Sequence, residues 1–222
     1  NSSLIGDFGY VGFASLTDES HDTHGFETAN YLQGNISSSS TGPFGSWINS
    51  MTWPSMYATI QKLNIFLANI DKVPSAYPAA EQAPVKVRAD RMKGEATFLR
   101  AFCYHQLARN YGGVVIITTP FEIGGDYLSL KRSTFKETID FISGECDNAA
   151  ALLDSKADMA DGDMGRATKE AAMALKSRIL LFAASDLTAD GTAANEYVGY
   201  QSADRNALWT AAKDAAKAVI DL

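Results

Sequence analysis

The sequence predicts a mainly α-helical fold, helices packed in pairs and joined by long loops. Three observations carry this. Apolar residues recur at spacings of three and four along successive stretches from Trp53 to the last residue. Small residues (Gly94, Ala101, Ala108) fall seven apart on one stripe, a row along which a second helix can approach closely. The run of β-branched residues at Val114–Thr119 is short and ends at Pro120, which cannot continue a ladder. At 222 residues the chain can bury a sizeable core. It reads as one helical-repeat domain, loop-rich over 1–46 and made of paired helices over 47–222.

Residues 1–45 are rich in Ser, Gly, Thr and Asp and show no sustained period, so loop with a short helix or strand is expected. Within them LTDESHDTHGFE crowds acids and imidazoles together. It reads either as a solvated acidic loop or as a cation site built on Asp18, Glu19, His21 and Asp22. The first reading is favoured, because the spacing matches no established zinc or calcium loop. The run ISSSSTGPFGSWINS then places Phe44, Trp47 and Asn49 in polar surroundings.

A first helix is expected from Trp53, with Pro54 in its opening turn and Trp53, Tyr57, Ile60, Asn64, Leu67 and Ile70 along one stripe. It should end near Val73-Pro74. The segment SAYPAAEQAP reads as a linker into the central helix, which starts as early as Val85. That helix has Phe98, Leu99, Phe102, Cys103 and Leu107 at helical spacing, with apolar groups on nearly every face, so packing on several sides is predicted. Gly112-Gly113 after Tyr111 stops it, since glycine takes the left-handed cap at no steric cost. Val114–Thr119 follows as an extended segment at the surface, and then a loop. Ser133 or Thr134 caps the next helix, with Glu137 able to close a capping box and Phe135, Ile139, Ile142, Cys146, Ala149 and Leu153 as its stripe. Asp158, Asp161 and Asp163 break the pattern without the terminal glutamate of a calcium loop. Thr168 caps a further helix to Ser185. A last one begins near Asn206 with Trp209, Ala212, Ala216, Val219 and Ile220 facing inward.

The stretch GEATFLRAFCYHQLARNYGGVVIITTP resembles the signature of the SusD-like (RagB/SusD) proteins, the glycan-capturing lipoproteins of the Bacteroidetes outer membrane. Glu95, Ala96, Phe98, Leu99, Arg100, Ala101, Tyr104, Leu107, Tyr111, Gly112, Gly113 and Pro120 fill the family's places, while Val115 stands where the family usually has proline. The series Trp53, Tyr57, Ile60, Asn64 is similar to that family's first long helix. Arg132-Ser133 and the run from Gly165-Arg166 through Ala171, Ala172, Leu175 and Arg178 resemble its later motifs. The resemblance implies a tetratricopeptide-like scaffold. It also implies a lipidated cysteine upstream and a loop-rich region downstream, neither within this chain, and thus an incomplete member. NSSLIGDFGY shows no basic n-region and no lipobox cysteine.

The chemistry points to binding. The net charge of -7 leaves no basic face for nucleic acid, and no apolar run approaches bilayer length. No nucleophile elbow, metalloprotease helix, phosphate loop or dinucleotide fingerprint occurs, so neither an enzyme nor a cofactor is expected. His105, on the central helix without a supporting Asp or Cys, reads as a satisfied core histidine. Cys103 and Cys146 read as free structural thiols. Glu95, Arg100 and Arg178 read as anchors to neighbouring elements, a buried guanidinium needing partners for five donors. Sugars offer apolar C–H faces and hydroxyls, so exposed aromatics beside amides suit them. Trp53 and Trp209 lie on apolar stripes and read as core, which leaves Trp47, with Phe44 and Asn49, as the candidate ligand residues. The resemblance implies capture of an oligosaccharide, or in some members a peptide, and its delivery to a TonB-dependent outer-membrane transporter from a lipid-anchored position at the cell surface. The alternative is a helical-repeat adaptor that binds only protein.

Overall fold

The computed structural model describes residues 52–189 and 191–222 and, ahead of them, 7–8, 11–12, 18 and 33–34. The chain divides into two compact units, residues 1–56 and 57–222. In the first, β1 (Asp7–Phe8) and β2 (Val11–Gly12) pair antiparallel, Asp7 opposite Gly12 and Phe8 opposite Val11.

Helices make up the second unit. α1 (Trp53–Asn69), whose first four residues fall in the first unit, runs into two 3₁₀ turns, Ile70–Lys72 and Pro74–Ala76. α2 (Ala79–Tyr111) has 33 residues and is therefore about 50 Å long. It is followed by α3 (Phe135–Ala150), α4 (Lys169–Ala184), the four-residue α5 (Asp186–Ala189) and α6 (Arg205–Ile220). α2 packs on α3, α3 on α4 and α4 on α6, so each long helix from α2 onward meets mainly its neighbours, the organisation of a helical repeat.

α2 begins six residues earlier than expected. Pro78 sets the extended approach (φ -54°, ψ 146°), and the Ala, Glu and Gln that follow are good helix formers. Pro84 lies inside the helix, where it removes one backbone hydrogen bond and does not stop it. The predicted caps form. Thr134 Oγ1 accepts from the Glu137 N–H at 3.1 Å, and Glu137 Oε2 accepts from the Thr134 N–H at 2.8 Å, a complete capping box. Thr168 caps α4 through the Ala171 N–H, and Asp204, a cap not anticipated from the sequence, closes α6 through that of Ala207.

The α3 stripe is buried as expected, from Phe135 through Ile139, Ile142, Cys146 and Ala149 to Leu153. Ile60 and Asn64 of α1, Ile70 of the 3₁₀ turn after it and Leu107 of α2 are buried as expected, and so is Tyr104. Gly94 sits against the end of α3: a Cβ there would lie 2.9 Å from that of Leu152, which is the close approach the small-residue row implied. Three core assignments are corrected. Leu99 is 47 % exposed, because α2 is covered on some faces only, and Phe98 beside it packs on Ala149, Leu153 and Ala172. Trp209 is 42 % exposed and Ile220 more so, since α6 turns only Ala212 fully into the interior.

Candidate functional site

The residues of the signature stretch converge on one interior network. Arg100 Nε donates to Glu145 Oε2 at 2.6 Å, and its Nη1 donates to Asn64 Oδ1 at 2.9 Å and to the Thr118 carbonyl at 3.5 Å. The Asn64 amide in turn donates to the carbonyls of Ile117 and Thr119 at 3.0 and 3.1 Å. Tyr104 Oη accepts from the Ile117 N–H at 2.7 Å and donates to the Ile117 carbonyl at 3.1 Å. Tyr57 Oη donates to the Val115 carbonyl at 2.6 Å, and Gln61 holds Phe121 through both its N–H and its carbonyl. Burial pushes the Tyr104 phenol up to about 12 and raises that of Tyr57 further, so both stay protonated donors. Thus the β-branched segment predicted at the surface is an extended strut held by side chains of α1 and α2 and, at the fully buried Val114, by the Thr138 hydroxyl of α3 and the Ser133 N–H.

Gly112 and Gly113 do more than end α2. Gly112 has φ 77°, and its N–H closes on the Ala108 carbonyl. A Cβ on Gly112 would lie 2.1 Å from the Tyr197 carbonyl oxygen, and one on Gly113 would lie 2.2 Å from that of Ser133. The Gly113 N–H donates to the Tyr197 carbonyl and the Phe135 N–H to that of Glu196. Arg132 clamps the same corner, donating to the carbonyls of Gly113 and Tyr111 with its guanidinium 5.3 Å from the Tyr197 ring centroid. The charge suits the negative end of α2. Sequence reasoning placed Arg132 in a motif without a role, and nothing local reveals that its partners lie about twenty residues back.

Glu95 and Arg166 join the two motif stretches through a two-pronged pair at 2.6 and 2.5 Å. Arg178 behaves otherwise than expected. It is exposed on α4 and forms no hydrogen bond or ion pair with a described residue. His105 is buried but not satisfied: both ring nitrogens lack a partner among the described residues. Such burial costs about 1–3 kcal/mol for an unpaired polar group. Desolvation, with the guanidiniums of Arg109 and Arg178 nearby, pulls its imidazole down to about 4. Cys103 and Cys146 are free and buried, and burial pushes both thiols up to about 12, well outside the range of a nucleophile.

Phe44, Trp47 and Asn49, the candidate ligand residues, lie outside the described residues, as do Glu19, His21 and Asp22 of the cation alternative. Asp18 is exposed. Among the described residues no group of three or more His, Cys, Asp and Glu could hold a metal ion. The exposed aromatics described are Tyr77, Tyr111, Tyr127 and Trp209, and Tyr127 stacks edge-on against Phe121 at 4.9 Å, on the loop that Gln61 holds. No helix among the described residues is long and apolar enough to cross a membrane.

Residues 18–181 match the SusD-like family described as "starch-binding associating with outer membrane". No curated protein sequence matches the chain. Solved structures share the fold. A SusD homolog from Bacteroides thetaiotaomicron aligns with TM-score 0.61 at 22 % identity, over 79 % of this chain and 30 % of its own. A SusD-like carbohydrate-binding protein from Bacteroides fragilis gives 0.55 at 23 %, over 79 % and 28 %. A laminarin-binding SusD-like protein gives 0.54 at 20 %, over 70 % and 30 %. The chain therefore spans less than a third of the length of these neighbours.

Proposed function

The chain belongs to the SusD-like family, and on that footing we propose that it is the helical part of a surface glycan-binding protein of a nutrient-uptake system. The family match over residues 18–181 carries this reading. The protein holds an oligosaccharide and passes it to a partner TonB-dependent outer-membrane transporter from a lipid-anchored position at the cell surface. It makes and breaks no bonds: it raises the local ligand concentration and presents the ligand to the transporter.

Trp47 is the residue we propose for stacking on a sugar ring, with Phe44 extending the apolar surface and Asn49 offering amide hydrogen bonds to hydroxyls. A stacked ring contributes about 0.5–1.5 kcal/mol beyond the area it buries, so Trp47→Ala should weaken glycan binding several-fold or abolish it. Calorimetry of the full-length protein against a glycan panel, with a melt of each variant, tests this. Unchanged affinity, or a loss matched by unfolding, removes Trp47 from the site. Failure of the parent to bind any glycan, with a peptide library as the second arm, overturns the glycan reading itself.

A further inference from the structure

His105, Arg109 and Arg178 line one cleft between α2 and α4, about 280 Å³ in volume, with Leu181 and Phe182 as apolar wall. The glycan reading leaves these groups without a task. His105 is 2 % exposed, yet neither of its ring nitrogens meets a described partner. A neutral imidazole has one N–H to donate and one lone pair to fill, and buried polar groups are as a rule paired. Arg109 follows His105 by one helical turn, and Arg178 comes from the facing helix. Both are exposed, and neither pairs with a carboxylate among the described residues. Asp186, at the start of α5, is engaged with Arg205. In a chain with 26 acidic and 19 basic side chains, two unneutralised guanidiniums beside a buried imidazole run against the average charge. The Ser185 hydroxyl is committed to the Phe182 carbonyl at 2.7 Å, so recognition falls to the three nitrogen-bearing groups.

We propose that this cleft binds an oxyanion, held between the forks of Arg109 and Arg178, to which the buried His105 donates its N–H once its ring turns toward the cleft. Planar guanidinium donors match carboxylate, phosphate and sulfate oxygens in pairs, which a lysine could not do. The neutral state of His105 agrees with this arrangement, since it offers a donor without adding a third positive charge. The oxyanion has two sources of the same chemistry: a free anion, including the carboxylate of an acidic sugar, or an Asp or Glu side chain from elsewhere in the polypeptide. The site is independent of Trp47, so failure of one reading leaves the other standing.

The test uses full-length protein labelled at histidine. The chain has three histidines, so the His105 ring signals are assigned by their loss in His105→Leu. Inorganic phosphate, sulfate and glucuronate are titrated at constant ionic strength against chloride. Saturable displacement of the His105 signals with a rise in Tm, about tenfold weaker in Arg109→Gln and in Arg178→Gln, identifies a free oxyanion. No response to any anion, while each Arg→Gln substitution lowers Tm and moves the His105 signals, identifies a carboxylate of the polypeptide. His105 signals indifferent to the anions and to both substitutions overturn the proposal.

Discussion

Arg100 and Glu145 are 45 residues apart in sequence, and their side chains meet at 2.6 Å in the interior, both nearly inaccessible to solvent. Removing either partner leaves a buried charge uncompensated, which costs about 3–5 kcal/mol. Arg100→Leu and Glu145→Leu should each fall in that range by chemical denaturation, and the double variant should cost clearly less than the two together. Strict additivity would mean that the pair does not act as a unit.

Leu99 and Leu107 sit on the same helix and look alike in sequence, yet Leu107 is fully buried and Leu99 is half in solvent. Leu107→Ala should cost about 2–5 kcal/mol, with Phe98→Ala toward the lower end. Leu99→Ala should stay within about 1 kcal/mol. Equal melting temperatures for the two leucine variants would contradict the packing of α2.

Gly113→Ala drives a Cβ into the Ser133 carbonyl, backbone that no rotamer change can move aside. It should cost more than about 2 kcal/mol and separate the end of α2 from the start of α3. Gly144→Ala is the control. It lies within α3 with nothing near its added methyl, and should stabilise by about 0.5–1 kcal/mol. A tolerated alanine at 113 would refute the close approach of these backbones.

His105 makes stability depend on pH. Its folded value of about 4 lies below the ordinary 6.5. Below pH 6.5 the unfolded chain therefore takes up a proton that the folded chain refuses, and stability falls as pH drops from about 6.5 toward 4, levelling off beneath. The full loss is about 3 kcal/mol at most. Denaturant midpoints from pH 7 to 4 in chloride buffer should fall more steeply for the parent than for His105→Leu, since the lowered carboxyls of Glu137 and Glu170, like His21 and His24, are common to both. Parallel profiles would show that burial does not shift this imidazole.

What the residues determine alone is local. Period, caps and breakers concern side chains three to four apart, so the α3 stripe, the Thr134–Glu137 box and the cap at Gly112 were all legible. The fixed order from Glu95 to Pro120 marked the family, which the match over residues 18–181 bears out. Exposure was not legible where a helix is apolar on many faces. Leu99 and Trp209 share the spacing of their buried neighbours, and only the placing of other helices left them in solvent. Pairing across long separations was hidden for the same reason. That Arg100 finds Glu145, that Glu95 finds Arg166 and that His105 and Arg178 find no partner among the described residues depends on which faces α2, α3 and α4 turn toward one another. Burial and ion pairing are properties of two surfaces in contact, and a spacing rule describes only one of them.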